Sequence, residues 1–166
     1  MKARAVVVTA VLLAGVAGCG GGGPKVAAAL PPDLVGLLTG QVDCGGAPLV
    51  QVRLHHYDFT GDGVDDALIA VRCDTGAGAP PSAVFAIAAR PAGPEVVAEL
   101  LKPDAGEVVS DLEAAGSSAV VTTFGFSDKA PRCCPDLQIS HTYRWDGSAF
   151  GDPTTSSTPL PEAPKN

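Results

Sequence analysis

The chain is short of aromatic residues, of positive charge and of long apolar runs, and each shortage removes something. Aromatics are 5% of its 166 residues, and much of the 46% hydrophobic content is Ala and Val. A core built from these buries little area per residue, and Gly 20 with Pro 15 points to many turns and short elements. Lys and Arg total 11 against 18 Asp and Glu, a net charge of −7. An acidic chain without a basic stripe has nothing to set against a phosphate backbone or an anionic lipid surface, so nucleic acid is excluded as a partner. No Gly-x-Ser-x-Gly elbow occurs, no glycine run is followed by a phosphate-loop lysine, and no Cys-x-x-Cys pair is present. Glu95, Glu99, Glu107 and Glu113 are scattered on positions that read as solvent-facing, where nothing would tune an acid/base pair. No catalytic constellation emerges.

What is present begins at the N-terminus. Lys2 and Arg4 precede an uncharged apolar run from Ala5 to Val16, which leads into Val16-Ala17-Gly18-Cys19. At 1.5 Å per helical residue the run falls short of a hydrocarbon core about 30 Å thick, so it reads as a signal peptide over residues 1–18. The Val-Ala-Gly-Cys ending resembles the bacterial lipobox, which implies cleavage before Cys19 and lipidation of its thiol with diacylglycerol, palmitate being a typical acyl chain. A secretory signal followed by a chance cysteine is the competing reading; the small residues before Cys19 and the glycines after it favour lipidation. Removing Lys2 and Arg4 with the leader takes the net charge from −7 to −9. Residues 19–30 form a Gly-rich tether, residues 31–152 the folded domain, and residues 153–166, rich in Pro, Ser and Thr, a tail expected to be disordered. The domain should stand on the extracytoplasmic face of the membrane as a monomer.

Outside the cytoplasm the remaining four cysteines, Cys44, Cys73, Cys133 and Cys134, read as two disulfides. Bonding adjacent Cys133 and Cys134 to each other strains the peptide, so the preferred pairing joins each of them to Cys44 or Cys73. Cys44–Cys73 with a vicinal pair is the alternative. Zinc is a third reading, disfavoured by the missing knuckles.

Between the tails the pattern is mainly β. Leu34, Leu37 and Leu38 recur at helical spacing between Pro31 and Gly40, predicting one short N-terminal helix. Residues 48–59 alternate, residues 66–73 and 82–90 are more continuously apolar, and residues 93–103, long enough for two helical turns or a strand, are read as a strand because the turn before them suits a hairpin. Residues 107–126 read as two strands around Ala115-Gly116, with Val120, Thr122, Phe124 and Phe126 on one face. Residues 137–151 carry the turn signal Asp146-Gly147, with Ile139, Tyr143, Trp145 and Phe150 as core bulk. The expected fold is an antiparallel sheet or meander of six to seven short strands, stapled by disulfides. The lipobox, the Asp58-Phe59-Thr60-Gly61-Asp62-Gly63 turn, Arg72-Cys73 closing a strand, Cys133-Cys134-Pro135 and the Tyr143-Arg144-Trp145-Asp146-Gly147 hairpin resemble small actinobacterial lipoproteins of the LppP/LprE group. That resemblance implies an envelope location.

The most chemical-looking stretch runs from Asp58 to Asp66. Asp58, Thr60, Asp62, the Val64 carbonyl and Asp66 are spaced like oxygen ligands of a Ca²⁺ loop, and Gly63 permits the sharp turn. Ile69 stands where an EF-hand has its bidentate glutamate, so the closer likeness is to the Asp-rich turns between strands of FG-GAP-type repeats. The alternative is an acidic turn closed by Asx hydrogen bonds, which needs no ion. His55 and His56 are adjacent on a strand and point apart; His56 with Asp58 and His141 is the one three-residue metal set to consider. The functional expectation is a non-catalytic, membrane-anchored module that binds a ligand or an envelope protein. Against it stands an extracytoplasmic enzyme with an unrecognised site.

Overall fold

The computed structural model describes residues 27–76, 78, 80–131 and 133–161. The leader, Cys19 and most of the tether lie outside the described residues.

Eight strands form two antiparallel meanders. The first sheet holds β1 (Leu49–Tyr57), β2 (Asp66–Cys73), β3 (Ala83–Ala88) and β4 (Glu95–Leu101); the second holds β5 (Val108–Ala115), β6 (Ser118–Gly125), β7 (Leu137–Arg144) and β8 (Thr154–Pro159). Each strand pairs with its sequence neighbour, and one 3-10 turn, Pro103–Ala105, carries the chain from β4 to β5. The mainly β fold agrees with the pattern of the sequence, but a single meander of six to seven strands becomes eight strands in two sheets.

Two layers of core explain the apolar run of β2 and β3. One face of that pair, with Leu68, Ala70, Val84, Ala86 and Ala88, packs against Val109, Leu112, Val121, Tyr143 and Trp145 of the second sheet. The opposite face, with Ile69, Val71, Phe85 and Ile87, is covered by Leu34 and Leu38 of the N-terminal segment. Strands buried on both faces need no polar alternation. The covering segment is a single 3-10 turn, Val35–Leu38, where a short α-helix was expected. Pro31 and Pro32 before it and Gly40 (φ 89°) after it leave room for one turn, started by the Asp33 carboxylate accepting the Val35 N–H. Burying Leu34 and Leu38 nonetheless contributes about 1.5–3 kcal/mol each.

Where the sheets meet, each has an extra residue. Val52 on β1 and Ser110 on β5 have no partner in register, so both strands bulge there. The freed Ser110 carbonyl accepts the Arg53 Nε–H at 3.1 Å, a bond from one sheet to the other.

The remaining elements add one agreement, the shared face of Val120, Thr122, Phe124 and Phe126, and two corrections. On β6 the inward residues are Ala119, Val121, Thr123 and Gly125, while Val120, Thr122 and Phe124 are half-exposed and Phe126 is exposed. Small residues face in because the sheet packs tightly: a Cβ on Gly125 would collide with Ile139 Cδ1. Residues 154–159, placed in a disordered tail, form β8, paired with β7 from Thr142↔Thr154 to Leu137↔Pro159. Every residue of β8 is exposed, so backbone pairing with the β7 edge makes the strand and no apolar pattern marks it. Finally, the disulfide is Cys44–Cys73, with a Cα–Cα distance of 5.3 Å, and Cys133 and Cys134 are free and exposed. Cys44 follows the N-terminal turn that lies over β2, so the chain itself brings it to Cys73; the preferred pairing to the 133–134 pair does not form.

Candidate functional site

The Asp-rich turn closes on its own amides. Asp58 Oδ1 accepts the N–H groups of Gly61 (2.6 Å) and Asp62 (3.2 Å) and the Thr60 hydroxyl (3.4 Å), and Oδ2 accepts Gly63 N–H (2.8 Å). Three of these donors converge on Oδ1 and one on Oδ2, so most of the carboxylate's roughly four acceptor positions are taken up by the turn itself. Gly61 and Gly63 have φ of 78° and 86°, which aims successive N–H groups inward at little cost. Desolvation pushes the Asp58 carboxyl upward, but the N–H groups of Gly63, Gly61 and Asp62 and the Thr60 hydroxyl outweigh it and hold the carboxyl below its ordinary value. Asp62 Oδ1 accepts Val64 N–H at 2.9 Å. Asp66 is fully buried and accepts the N–H groups of Phe59, Thr60 and Ala89, tying the turn to the end of β3. Among the described residues no three His, Cys, Asp or Glu side chains are grouped as metal ligands. His56 borders a shallow groove with Gly63 and Asp65, whereas His141 lies in the second sheet with other partners, so these two histidines are not brought together.

The turn also anchors an aromatic cluster. Phe59 packs at a steep tilt against Trp145 and Phe150, with ring centroids 5.1 Å apart in each pair, and 5.5 Å from Tyr57, so the turn of the first sheet is keyed into the hairpin of the second. That hairpin is closed by Asp146, whose Oδ1 accepts Ser148 N–H, Ser148 Oγ–H and Ala149 N–H. Burial raises Tyr57 well above its ordinary value, with the Asp66 charge adding to it.

A second polar cluster was not legible in the sequence. Glu107, read as solvent-facing, is turned inward: its Oε2 lies 2.7 Å from His141 Nε2 and accepts the Thr123 hydroxyl at 2.5 Å. His141 Nδ1 is 3.1 Å from the Thr155 hydroxyl. With Nε2 protonated, this makes a hydroxyl–imidazole–carboxylate string, the order that activates nucleophiles. Thr155 sits on the edge strand β8, however, and the grooves described here are lined by other residues. The string's evident effect is to pin β8 and satisfy Thr123, which is fully buried. Tyr143 next to it donates to the Leu100 carbonyl and is pushed up to about 12 by burial and then by the Glu107 charge.

The third feature is an apolar groove of about 510 Å³ where the two sheets join. Pro81, Val108, Phe124, Phe126, Cys133 and Pro135 line it, and no Asp, Glu, His or Lys is among its described lining residues. Phe126 is 42% exposed, an unusual setting for a large apolar side chain in a chain so poor in them. Of the aromatic and β-branched stripe expected from the sequence on β6, Phe124 and Phe126 line this groove. No family model, curated protein or solved structure matches the chain. The groove, the Asp turn and the buried string are therefore weighed on their own chemistry. Among the described residues no helix is long and apolar enough to cross a membrane.

Proposed function

We propose that this protein is an envelope lipoprotein, anchored through acyl chains on Cys19, whose β domain binds a small apolar ligand without catalysis. The observation that carries the binding reading is the groove beside Phe126. Its volume of about 510 Å³ falls within the roughly 300–1,000 Å³ of small-molecule sites, and its described lining residues offer contact area but no charged group to drive a reaction. The acidic surface, net −9 once the leader is gone, disfavours an anionic headgroup, so the ligand is an uncharged or cationic molecule with an apolar body. Support for the anchor is the lipobox, the glycine tether and the resemblance to the LppP/LprE group. A structural Ca²⁺ ion in the Asp58–Asp66 turn is left out of this proposal, because the turn's own N–H groups and the Thr60 hydroxyl already engage the Asp58 carboxylate.

The test is equilibrium binding of an uncharged fluorescent acyl probe to the exported domain. Saturable binding that Phe126→Asp weakens at least tenfold supports the groove; equal affinity in both proteins removes it. The competing hydrolase reading rests on Thr155–His141–Glu107 alone and predicts covalent labelling of Thr155 by a fluorophosphonate. The binding reading predicts none.

A further inference from the structure

We propose that Cys133 and Cys134 form a dithiol–disulfide couple, a redox-modification site that exchanges with a protein or small-molecule disulfide. Their Sγ atoms lie 2.6 Å apart, and both residues are exposed to a reaction partner. Cys44 and Cys73 are bonded to each other, so among the described cysteines these two have only one another.

The surrounding loop suits a local change of this kind. At its neck, Asp136 accepts Ser127 N–H at 2.8 Å and the Ser127 hydroxyl at 2.6 Å, while its own N–H reaches the Gly125 carbonyl. The Ser127 hydroxyl and then its N–H hold the Asp136 carboxyl below the ordinary value, so the neck stays closed at neutral pH. At the tip, Cys134 N–H donates to the Pro131 carbonyl at 3.0 Å, and Pro131 and Pro135 fix φ on either side. The thiols are therefore presented together on a turn whose ends are held.

The chemistry balances as two exchanges. The Cys133 thiolate attacks one sulfur of the partner disulfide, forming a mixed disulfide and expelling one partner thiolate. The Cys134 thiolate then attacks Cys133 Sγ, closing the ring and expelling the second. The two thiols lose two electrons and two protons; the partner disulfide gains them and leaves as two thiols. The hydrogen bond with Cys133, together with desolvation and the neighbouring charge, raises Cys134 above its ordinary value, so Cys134 is not the first attacker. A ring closed between adjacent residues on an exposed turn is strained, and such disulfides are readily reduced again. Cys133 is also part of the groove wall, yet the couple does not depend on what the groove holds.

The experiment titrates the folded protein with mixtures of reduced and oxidised glutathione, traps free thiols by alkylation, and follows the tryptic peptide Cys133–Arg144. The expected result is a reversible change between a doubly alkylated peptide and an unalkylated one lighter by two hydrogens. Cys44–Cys73 should remain bonded through the same range. In Cys134→Ser, which alters only an exposed side chain, the unalkylated form should vanish. A peptide that stays doubly alkylated even in the most oxidising mixture, with Cys44–Cys73 bonded, would overturn the proposal. So would Cys133 and Cys134 oxidising only into dimers or stable mixed adducts.

Discussion

Aspartate in this chain is a turn-closing residue. Asp58, Asp136 and Asp146 each gather N–H and hydroxyl donors from the next turn or across a loop neck, and Asp66 does the same from inside the core. Asp66→Ala would strand the N–H groups of Phe59 and Ala89 in buried surroundings, and equilibrium denaturation should show a loss of about 3–5 kcal/mol. Asp66→Asn keeps an acceptor and should lose clearly less. Asp58, Asp136 and Asp146 all have folded-state values below the ordinary 3.8. Their contribution to stability is therefore complete above about pH 4 and is lost as pH falls through the lowered values. Thermal unfolding between about pH 6 and pH 2 should show this fall, and replacing all three by Asn should flatten it. The same filled carboxylates predict little response to calcium: midpoints in millimolar Ca²⁺ and in chelator should coincide. A rise that Asp62→Asn abolishes would place an ion in the turn after all.

At the scale of elements, legibility follows side-chain pattern. β1 to β7 were visible because alternation, apolar runs or a turn signal marked them. β8 was not, since Thr154–Pro159 buries nothing and exists as a strand only through its ladder with β7 and the Thr155–His141 bond. Glu107 was misread for a related reason: its partners Thr123 and His141 come from strands that only the second sheet brings alongside it. The Asp turn was legible, down to the glycines it needs, while its choice between amides and a cation rests on geometry that spacing does not encode. Deleting residues 153–166 should strip Thr155 from His141, bare the β7 edge, lower the unfolding midpoint and promote association through that edge, as seen by light scattering. Unchanged stability would mean that β8 is a passenger. The Cys44–Cys73 link, with a sequence separation of 29, should contribute about 3–4 kcal/mol, measured as the loss in Cys44→Ser/Cys73→Ser.

The described part of the molecule is a two-sheet domain whose N-terminal segment runs over the outer face of β2 and β3. Its core is small-residue and tight, its turns are held by carboxylates, and its one large exposed aromatic borders a groove of apolar walls. Under the proposed anchoring, the domain would stand close to a membrane able to supply apolar ligands. A single acyl chain holds a protein only marginally, at about 0.8 kcal/mol per buried CH₂, whereas the two of a diacylglycerol anchor it firmly. The most direct measurement is incorporation of labelled palmitate into the full-length chain expressed in an actinobacterial host, compared with Cys19→Ala. The account predicts a labelled, membrane-associated protein whose label and processing both disappear in the variant. Label that persists in Cys19→Ala, or a wild-type protein released without label, would contradict it.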